Sequence, residues 1–439
     1  MDIISKIREA GIVGEGGAGF PTHVKVNCKA ECVIANGAEC EPLLRVDQQI
    51  MQYFPDRVVD GVVKLMEQTG APRGVIALKD HYHDAIAALN KVIADKPGVE
   101  LHIMKSTYPA GDEQQIVYSV MKRVVPTGGL PLDVGAVVSN VSTLADISRA
   151  MEDQPVTEKY VTVTGAVNHP VTVQVPIGTS GEELIKAAGG LAVEDCAFII
   201  GGPCMGRVSQ TADFPVTKTT GGLLAIPRSH PIFLKKSPEM NLKMIQAVCC
   251  QCSMCTQMCP RNALGLHVEP HKAMRSVAAG MDLLGENFNG IFSCCDCGIC
   301  TYYACNFGLK PSKVMQTLKQ GLMGSGVKPK KEVYGSVDGG LELKKLPVSR
   351  MIARLGINEY DVPAPMQMET LPVNTVHIPL KMHIGAPSVA VVQKGQTVTK
   401  GQLIADIPEK ALGAKIHASI SGVVTDITPD AIEIRGGAA

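Results

Sequence analysis

Cys249-Cys250-Gln251-Cys252-Ser253-Met254-Cys255-Thr256-Gln257-Met258-Cys259-Pro260 is the stretch on which the reading of this chain turns. Its cysteines run C-x2-C-x2-C-x3-C-P, the spacing that holds 4Fe–4S clusters in pairs. Three thiolates at short intervals converge on one cubane, and the fourth, turned away ahead of proline, reaches the other. A second set follows: Cys294-x2-Cys297-x2-Cys300-x4-Cys305, one residue longer before its last cysteine and with Asn306 in place of proline. The pattern assigns Cys249, Cys252, Cys255 and Cys305 to one cluster and Cys294, Cys297, Cys300 and Cys259 to the other. Structural zinc is the bland alternative. It asks for two spaced pairs of ligands, which two cysteine triplets fit poorly. Cys250 and Cys295 adjoin ligands and are able to replace them, so the roster stays more open than the metal.

Outside this stretch the cysteines thin out. Ten of the fifteen lie within residues 249–305 of a 439-residue chain. In a long chain without an export signal, such clustering argues for metal over disulfides. The others, Cys28, Cys32, Cys40, Cys196 and Cys204, read mostly as small buried residues. Lys plus Arg equals Asp plus Glu, 42 each, which removes the electrostatic footprint of a nucleic-acid binder. No run approaches the roughly 18 apolar residues of a membrane span. Met1–Arg8 reads as an amphipathic helix with Ile3, Ile4 and Ile7 on one face and lacks signal-peptide features. A cytoplasmic protein is expected.

Residues 1–150 alternate short apolar runs with helical patterns. Strands are expected at 32–35, 74–78, 99–103 and 136–139, with a helix near 83–94, which is α/β patterning. Residues 159–230 change character: two β-branched runs, 160–165 and 171–175, precede a short helix at 182–188. Residues 240–325 look helical around the cysteine loops. Residues 326–375, rich in Lys, Gly and Pro, read as a connector with little core of its own. From 376 onward short strands alternate with turns, as in a compact all-β module.

Gly14-Glu15-Gly16-Gly17-Ala18-Gly19 satisfies G-x-G-x-x-G, a weak signal alone. A dinucleotide fold needs a strand directly before the loop, and residues 3–10 look helical, so that reading fails. What remains is a plain turn, or a backbone able to approach a phosphate or a ring closely, with Lys25 as countercharge.

Here a resemblance enters. Gly14–Lys25, Asn36-Gly37-Ala38-Glu39-Cys40-Glu41-Pro42, Tyr108-Pro109-Ala110-Gly111-Asp112-Glu113 and Asn140-Val141-Ser142-Thr143-Leu144 resemble, in the same order, four flavin-facing stretches of the NADH-binding flavoprotein subunit of complex I. Ala38 stands where that subunit has Asp, and a two-cluster segment follows, which brings the chain closer to the C subunit of Rnf complexes. The order of domains is most similar to the propanediol-utilisation cobalamin reductases. In those the barrel-sandwich module is C-terminal, as His383–Pro387 and His417–Gly422 are here.

The resemblance implies a multidomain fold. It comprises an α/β FMN- and NADH-binding domain over 1–155 and a soluble-ligand-binding β-grasp domain over 156–235. An α-helical two-cluster 4Fe–4S ferredoxin domain covers 240–325, the connector 326–375, and an all-β barrel-sandwich module 376–439. It implies non-covalent FMN cradled by Gly16, Gly17, Gly19 and Lys25, lined by Asn36, Glu39 and Cys40, and closed by Gly111, Asp112, Glu113 and Asn140. Glu39 and Glu113 would face the nicotinamide of NADH, the electron donor. The aromatics that stack adenine in complex I have no counterpart in Val26-Asn27-Cys28, and Phe20 alone remains.

The implied activity is an NADH-dependent oxidoreductase, cobalamin reductase-like. It passes electrons from FMN through two clusters to a protein acceptor or corrinoid-processing partner, in a bacterial microcompartment or a multi-subunit reductase peripheral to a membrane. Two rivals stand beside it: an NADH-dependent electron-input subunit of an Rnf-like, ferredoxin-linked complex, and a non-enzymatic docking scaffold that carries clusters. A scaffold has no use for four flavin-facing motifs. His267 and His271 lack an HExxH frame and read as helix-face residues. Lys410 and Lys415 sit at no clear turn tip, so a lipoyl or biotinyl carrier is not indicated.

Overall fold

The computed structural model describes residues 1–332 and 335–437. Its first layer is a parallel sheet built from β1 (Cys32–Asn36), β2 (Arg73–Lys79), β3 (Val99–Met104) and, after the short β4 (Thr107–Tyr108), β5 (Ala136–Asn140). Strand order is β3-β2-β1-β5. Side chains alternate across the sheet as a two-residue period demands. Val33, Ala35, Ile76 and Leu78 join one core, while Cys32, Ile34, Val75 and Ala77 join another on the opposite face. A sheet buried on both faces needs apolar residues at every position, which is why these strands read as continuous runs.

The first face is covered by α1 (Ile3–Glu9), α3 (Val46–Tyr53), α4 (Pro55–Thr69), α5 (His83–Ile93) and α7 (Val141–Met151), with α2 (Thr22–Lys25) following the glycine loop. The second is covered by α6 (Glu113–Met121), through Ile116, Val117 and Val120. Local chemistry marks the ends. Pro55 opens α4, where its missing N–H costs nothing, and Gly70 closes it in the left-handed region at φ 68°. The Asn140 side chain caps α7 by accepting from the Ser142 N–H at 2.8 Å.

Chain order runs outward from β1 to β3 and then returns to place β5 on β1's other side. The carboxyl ends of β1 and β5 therefore form a topological switch point, where open α/β sheets hold ligands. Asn36 and Asn140 are register partners there. The glycine loop lies between α1 and β1, so it is not the strand-to-helix turn of a dinucleotide fold.

The next layer is a mixed sheet of β6 (Glu158–Gly165), β7 (Val171–Pro176), β8 (Cys196–Ile200), β9 (Arg207–Ser209) and β10 (Gly222–Pro227), with α8 (Gly181–Ala187) packed on it. Short helices at 242–248, 254–257, 260–263, 270–279 and 311–324 surround the cysteines. Seven short strands between 375 and 435 form two small sheets. Their buried Val376, Ile378, Ile432 and Ile434 merge with the core of the α/β domain.

The segment 326–375, expected to be a connector with little core of its own, is woven into its neighbours. β11 (Leu346–Pro347) pairs with β4, and β12 (Met366–Thr370) adds a parallel edge strand to β7. The helix Val348–Leu355 buries Met351, Ile352 and Leu355. Composition hid this because each piece completes a surface made by distant residues: β11 and β12 pair with strands more than 190 positions away, and the helix packs on Ile232, Cys297 and Tyr302.

Candidate functional site

The switch point carries a cavity of about 370 Å³. Gly14, Gly16, Gly17, Gly19 and Phe20 form one side, Asn36, Cys40, Gly111, Asp112 and Glu113 another, and Asn140 lies at the base. A Cβ built on Gly17 would meet nothing within 4 Å, so this residue opens onto the cavity. The other glycines are held by the protein itself. At Gly16 a Cβ would come within 3.1 Å of Asn140, and at Gly19 within 2.9 Å of the Met382 carbonyl. At Gly111 it would lie 2.2 Å from the Ala38 carbonyl oxygen and 3.1 Å from the Cys40 Sγ, so only glycine permits this approach.

The polar groups around the cavity are fixed. Lys25 Nζ stands 3.2 Å from Glu113 Oε1. Asn36 Nδ2 donates to the Gly111 carbonyl at 2.8 Å, and Asn140 Nδ2 donates to Asp47 Oδ2 at 2.9 Å. The N-terminus of α7 begins at this wall, and Glu15 N–H donates to Thr143 Oγ1 at 3.1 Å. A helix N-terminus and an ammonium suit an anionic phosphate. With the open space at Gly17, these residues fit an FMN.

Glu39 differs from its expected position. Cys40 faces the glycine-loop cavity, and its neighbours Glu39 and Glu41 turn the other way, onto a second cavity of about 340 Å³ shared with Arg45, Lys79, His81 and Tyr82. Burial pushes the Glu39 carboxyl up to about 7 against the pull of Lys79, and burial lowers Lys79 in turn. Lys79 Nζ donates to the Glu39 carbonyl. Glu41 is structural: its two oxygens accept from the N–H groups of Cys204 and Met205 at 2.8 and 2.9 Å. The reach of Met205 from the β-grasp layer into the wall of the glycine-loop cavity left no sequence signal.

The two cysteine sets come together in space. Cys249, Cys252, Cys255 and Cys305 border one small cavity, together with Cys250. Cys259 lies near Cys297 and Cys300, away from the rest of its own loop, and Cys294 faces Cys300. Burial pushes the thiols of Cys255 and Cys259 up to about 12. Burial disfavours these two thiols as bare anions, and a bound cation would offset that charge. Among the described residues no three His, Cys, Asp or Glu side chains stand close enough to hold a single ion.

Cys295 and Cys297 also line the glycine-loop cavity, so the second set forms part of its wall. A buried clamp holds them there. Arg261, next to the Cys259–Pro260 turn, donates from Nε and Nη2 to the two oxygens of Asp112, both at 2.6 Å. Arg261 Nη1 donates to the Ser293 carbonyl at 3.2 Å, and Tyr108 Oη donates to the Cys297 carbonyl at 2.6 Å. Asp112 was expected to close the flavin site. It lines the cavity, but its carboxylate is spent on Arg261. The side chains of Arg261 and Asp112 are only 10% and 9% exposed. Asp112→Asn leaves the guanidinium buried without its counter-charge, which costs about 3–5 kcal/mol in such pairs. The urea midpoint of the whole protein is expected to fall accordingly; an unchanged midpoint would mean the clamp contributes nothing.

Four family descriptions match the chain in order: Nuo51 FMN-binding domain over residues 7–149, SLBB domain over 160–208, 4Fe-4S dicluster domain over 248–310, and RnfC barrel sandwich hybrid domain over 363–438. Cobalamin reductase PduS of Salmonella typhimurium is 43% identical, covering 99% of this chain and 97% of its own. Cobalamin reductase PduS of Citrobacter freundii is 40% identical over 99% and 96%. The C subunit of the Na(+)-translocating ferredoxin:NAD(+) oxidoreductase complex of Acetobacterium woodii is 37% identical over 61% of this chain and 59% of its own. With its FMN-binding and 4Fe–4S domains and its full-length match, the chain belongs to the cobalamin reductase PduS family of iron–sulfur flavoprotein oxidoreductases.

Proposed function

We propose that this protein takes electrons from NADH at FMN and passes them through two 4Fe–4S clusters to a partner, with a corrinoid-processing protein as the end acceptor. The observation that carries this reading is that Cys295 and Cys297 belong to the wall of the glycine-loop cavity, which makes donor site and relay contiguous. When bound, FMN accepts a hydride and releases single electrons, which 4Fe–4S clusters carry one at a time. The chain's residues do the rest. Gly16, Gly17 and Gly19 let the backbone lie close to the flavin, Lys25 and the α7 N-terminus meet its phosphate, and Asn36, Cys40, Gly111 and Asn140 bound it. Glu113 shares this cavity with the incoming nicotinamide, while Glu39 lies behind the wall and tunes its charge. Asp112 and Arg261 hold the second cysteine set against the cavity.

The corrinoid acceptor comes from the names of the PduS relatives. The rival acceptor, a ferredoxin-linked complex, comes from the Rnf relative. No helix among the described residues is long and apolar enough to cross a membrane.

The test is anaerobic. The purified protein is expected to hold about eight iron and eight acid-labile sulfide, as two cubanes require, with one FMN. Zinc without sulfide would refute the reading. NADH is expected to bleach the flavin faster than NADPH, since a 2′-phosphate wants a free arginine. Arg45, the arginine nearest these motifs, is already paired: its Nη2 stands 2.5 Å from Asp361 Oδ1. Equal bleaching rates would remove that preference. Cob(II)alamin and oxidised ferredoxin offered side by side then separate the two acceptors.

A further inference from the structure

The two cysteine sets differ in exposure. Cys259, Cys297 and Cys300 are buried, whereas Cys250 and Cys252 are exposed. Phe307, two residues past Cys305, lines the same small cavity as Cys250 and Cys252 and is 47% exposed; Met254 is 38% exposed. Apolar side chains left in water beside a cluster site invite a cover.

A set of cations borders this patch. Arg354 Nη2 donates to Asn306 Oδ1 at 3.1 Å, and Lys235 Nζ donates to the Arg354 carbonyl at 2.6 Å. Lys310 Nζ donates to the carbonyls of Ser237 and Glu239 at 3.0 and 3.1 Å, and Lys313 lies close enough to Lys310 to repel it. Glu239 is the carboxylate that faces Lys310. Within 4 Å none of Lys235, Lys310, Lys313 and Arg354 forms an ion pair with a carboxylate among the described residues, although many cations elsewhere in the chain do. In a chain of zero formal net charge, such a rim is local positive charge left unneutralised beside one cysteine set.

We infer that this face is the electron exit and the docking site of a small acidic protein electron carrier. Its carboxylates meet Lys235, Lys310, Lys313 and Arg354, and its apolar centre covers Met254 and Phe307. The order of transfer is then glycine-loop cavity, second cysteine set, first cysteine set, partner. Small apolar centres with charged rims suit transient electron-transfer complexes, which form fast by electrostatic steering and release quickly. This inference rests on the reading that the clusters carry electrons.

The test bypasses NADH. The whole protein, reduced with dithionite and freed of excess reductant, is mixed in a stopped-flow instrument with oxidised flavodoxin, an acidic carrier, or with cytochrome c, a basic one. With flavodoxin the rate constant of the unaltered protein is expected to fall as salt is raised, because screening weakens steering. The double variant Lys313→Glu/Arg354→Glu is expected to slow flavodoxin reduction by about ten-fold or more at low salt, the scale of lost steering. It should leave iron, FMN and NADH-driven dye reduction unchanged and not slow cytochrome c. Equal loss with both carriers, or no loss with flavodoxin, overturns the inference. If NADH fails to reduce the clusters while the dithionite result holds, the donor reading falls and the docking face stands.

Discussion

A Cys297→Ala variant is expected to keep NADH-driven reduction of an artificial dye within about two-fold of the parent while losing about ten-fold or more of its rate with a protein or corrinoid acceptor, a split that separates the flavin step from the relay. Cys297 is the residue to change because it belongs to the second cysteine set and also forms part of the glycine-loop cavity wall. A dye reaches that cavity from solvent, so it needs no relay. A partner docked elsewhere does, because electron tunnelling weakens steeply with distance and a small shift in packing does not bridge a missing cluster. The fold has reason to survive. Tyr108 holds the Cys297 backbone carbonyl, and Arg261, fixed by Asp112, holds the Ser293 carbonyl just ahead of the set. Cys295 stands close enough to Cys297 to share a hydrogen bond with it, so the Cys295→Ala/Cys297→Ala double variant belongs in the same experiment. If the single variant keeps its iron and only the double loses it, Cys295 has taken over as ligand. If a folded, iron-depleted double variant still reduces the native acceptor at the parent rate, the clusters are structural and the proposed route is wrong.

Much of this was legible in the sequence because it is local. Cysteine spacing is a property of a dozen residues. The runs at 32–36, 73–79 and 136–140 stand out because there the parallel sheet is buried on both faces. The parts that stayed hidden depend on distant partners. Nothing around residue 366 announces that it will form an edge strand beside β7, because its partner strand lies near 172. The bidentate grip of Arg261 on Asp112 spans 149 positions, and each residue alone reads as an ordinary charge. Glu39 shows a different limit. A motif carries residue identities but not which way each side chain turns. Once Gly111 packs against Ala38 and Cys40, the direction of Cys40 is set and Glu39 must take the other side.

Gly17→Val is expected to empty the flavin site without disturbing the fold. The argument rests on the contrast among the loop glycines. A side chain at Gly19 would meet backbone of the C-terminal module at φ 73°, and one at Gly16 would press on Asn140. Either change would perturb the protein itself, and loss of flavin would then be ambiguous. A Cβ at Gly17 would find no atom within 4 Å, and the residue has no left-handed φ, so the polypeptide accepts valine there freely. A valine side chain there projects into the cavity, where a bound ligand would meet it. Overpacking of this kind costs about 1–3 kcal/mol, which weakens binding by about ten- to a hundred-fold. The flavin-to-protein ratio after gel filtration is expected to drop, and titration of the stripped variant with FMN should give the weakened constant directly. Iron and sulfide content should stay at the parent level, because the cysteine loops are untouched. Gly17→Ala, with a single methyl, should fall between the two. Full flavin in Gly17→Val at unchanged affinity would mean that the ring and phosphate lie elsewhere in the cavity, and that the glycine loop is a turn and nothing more.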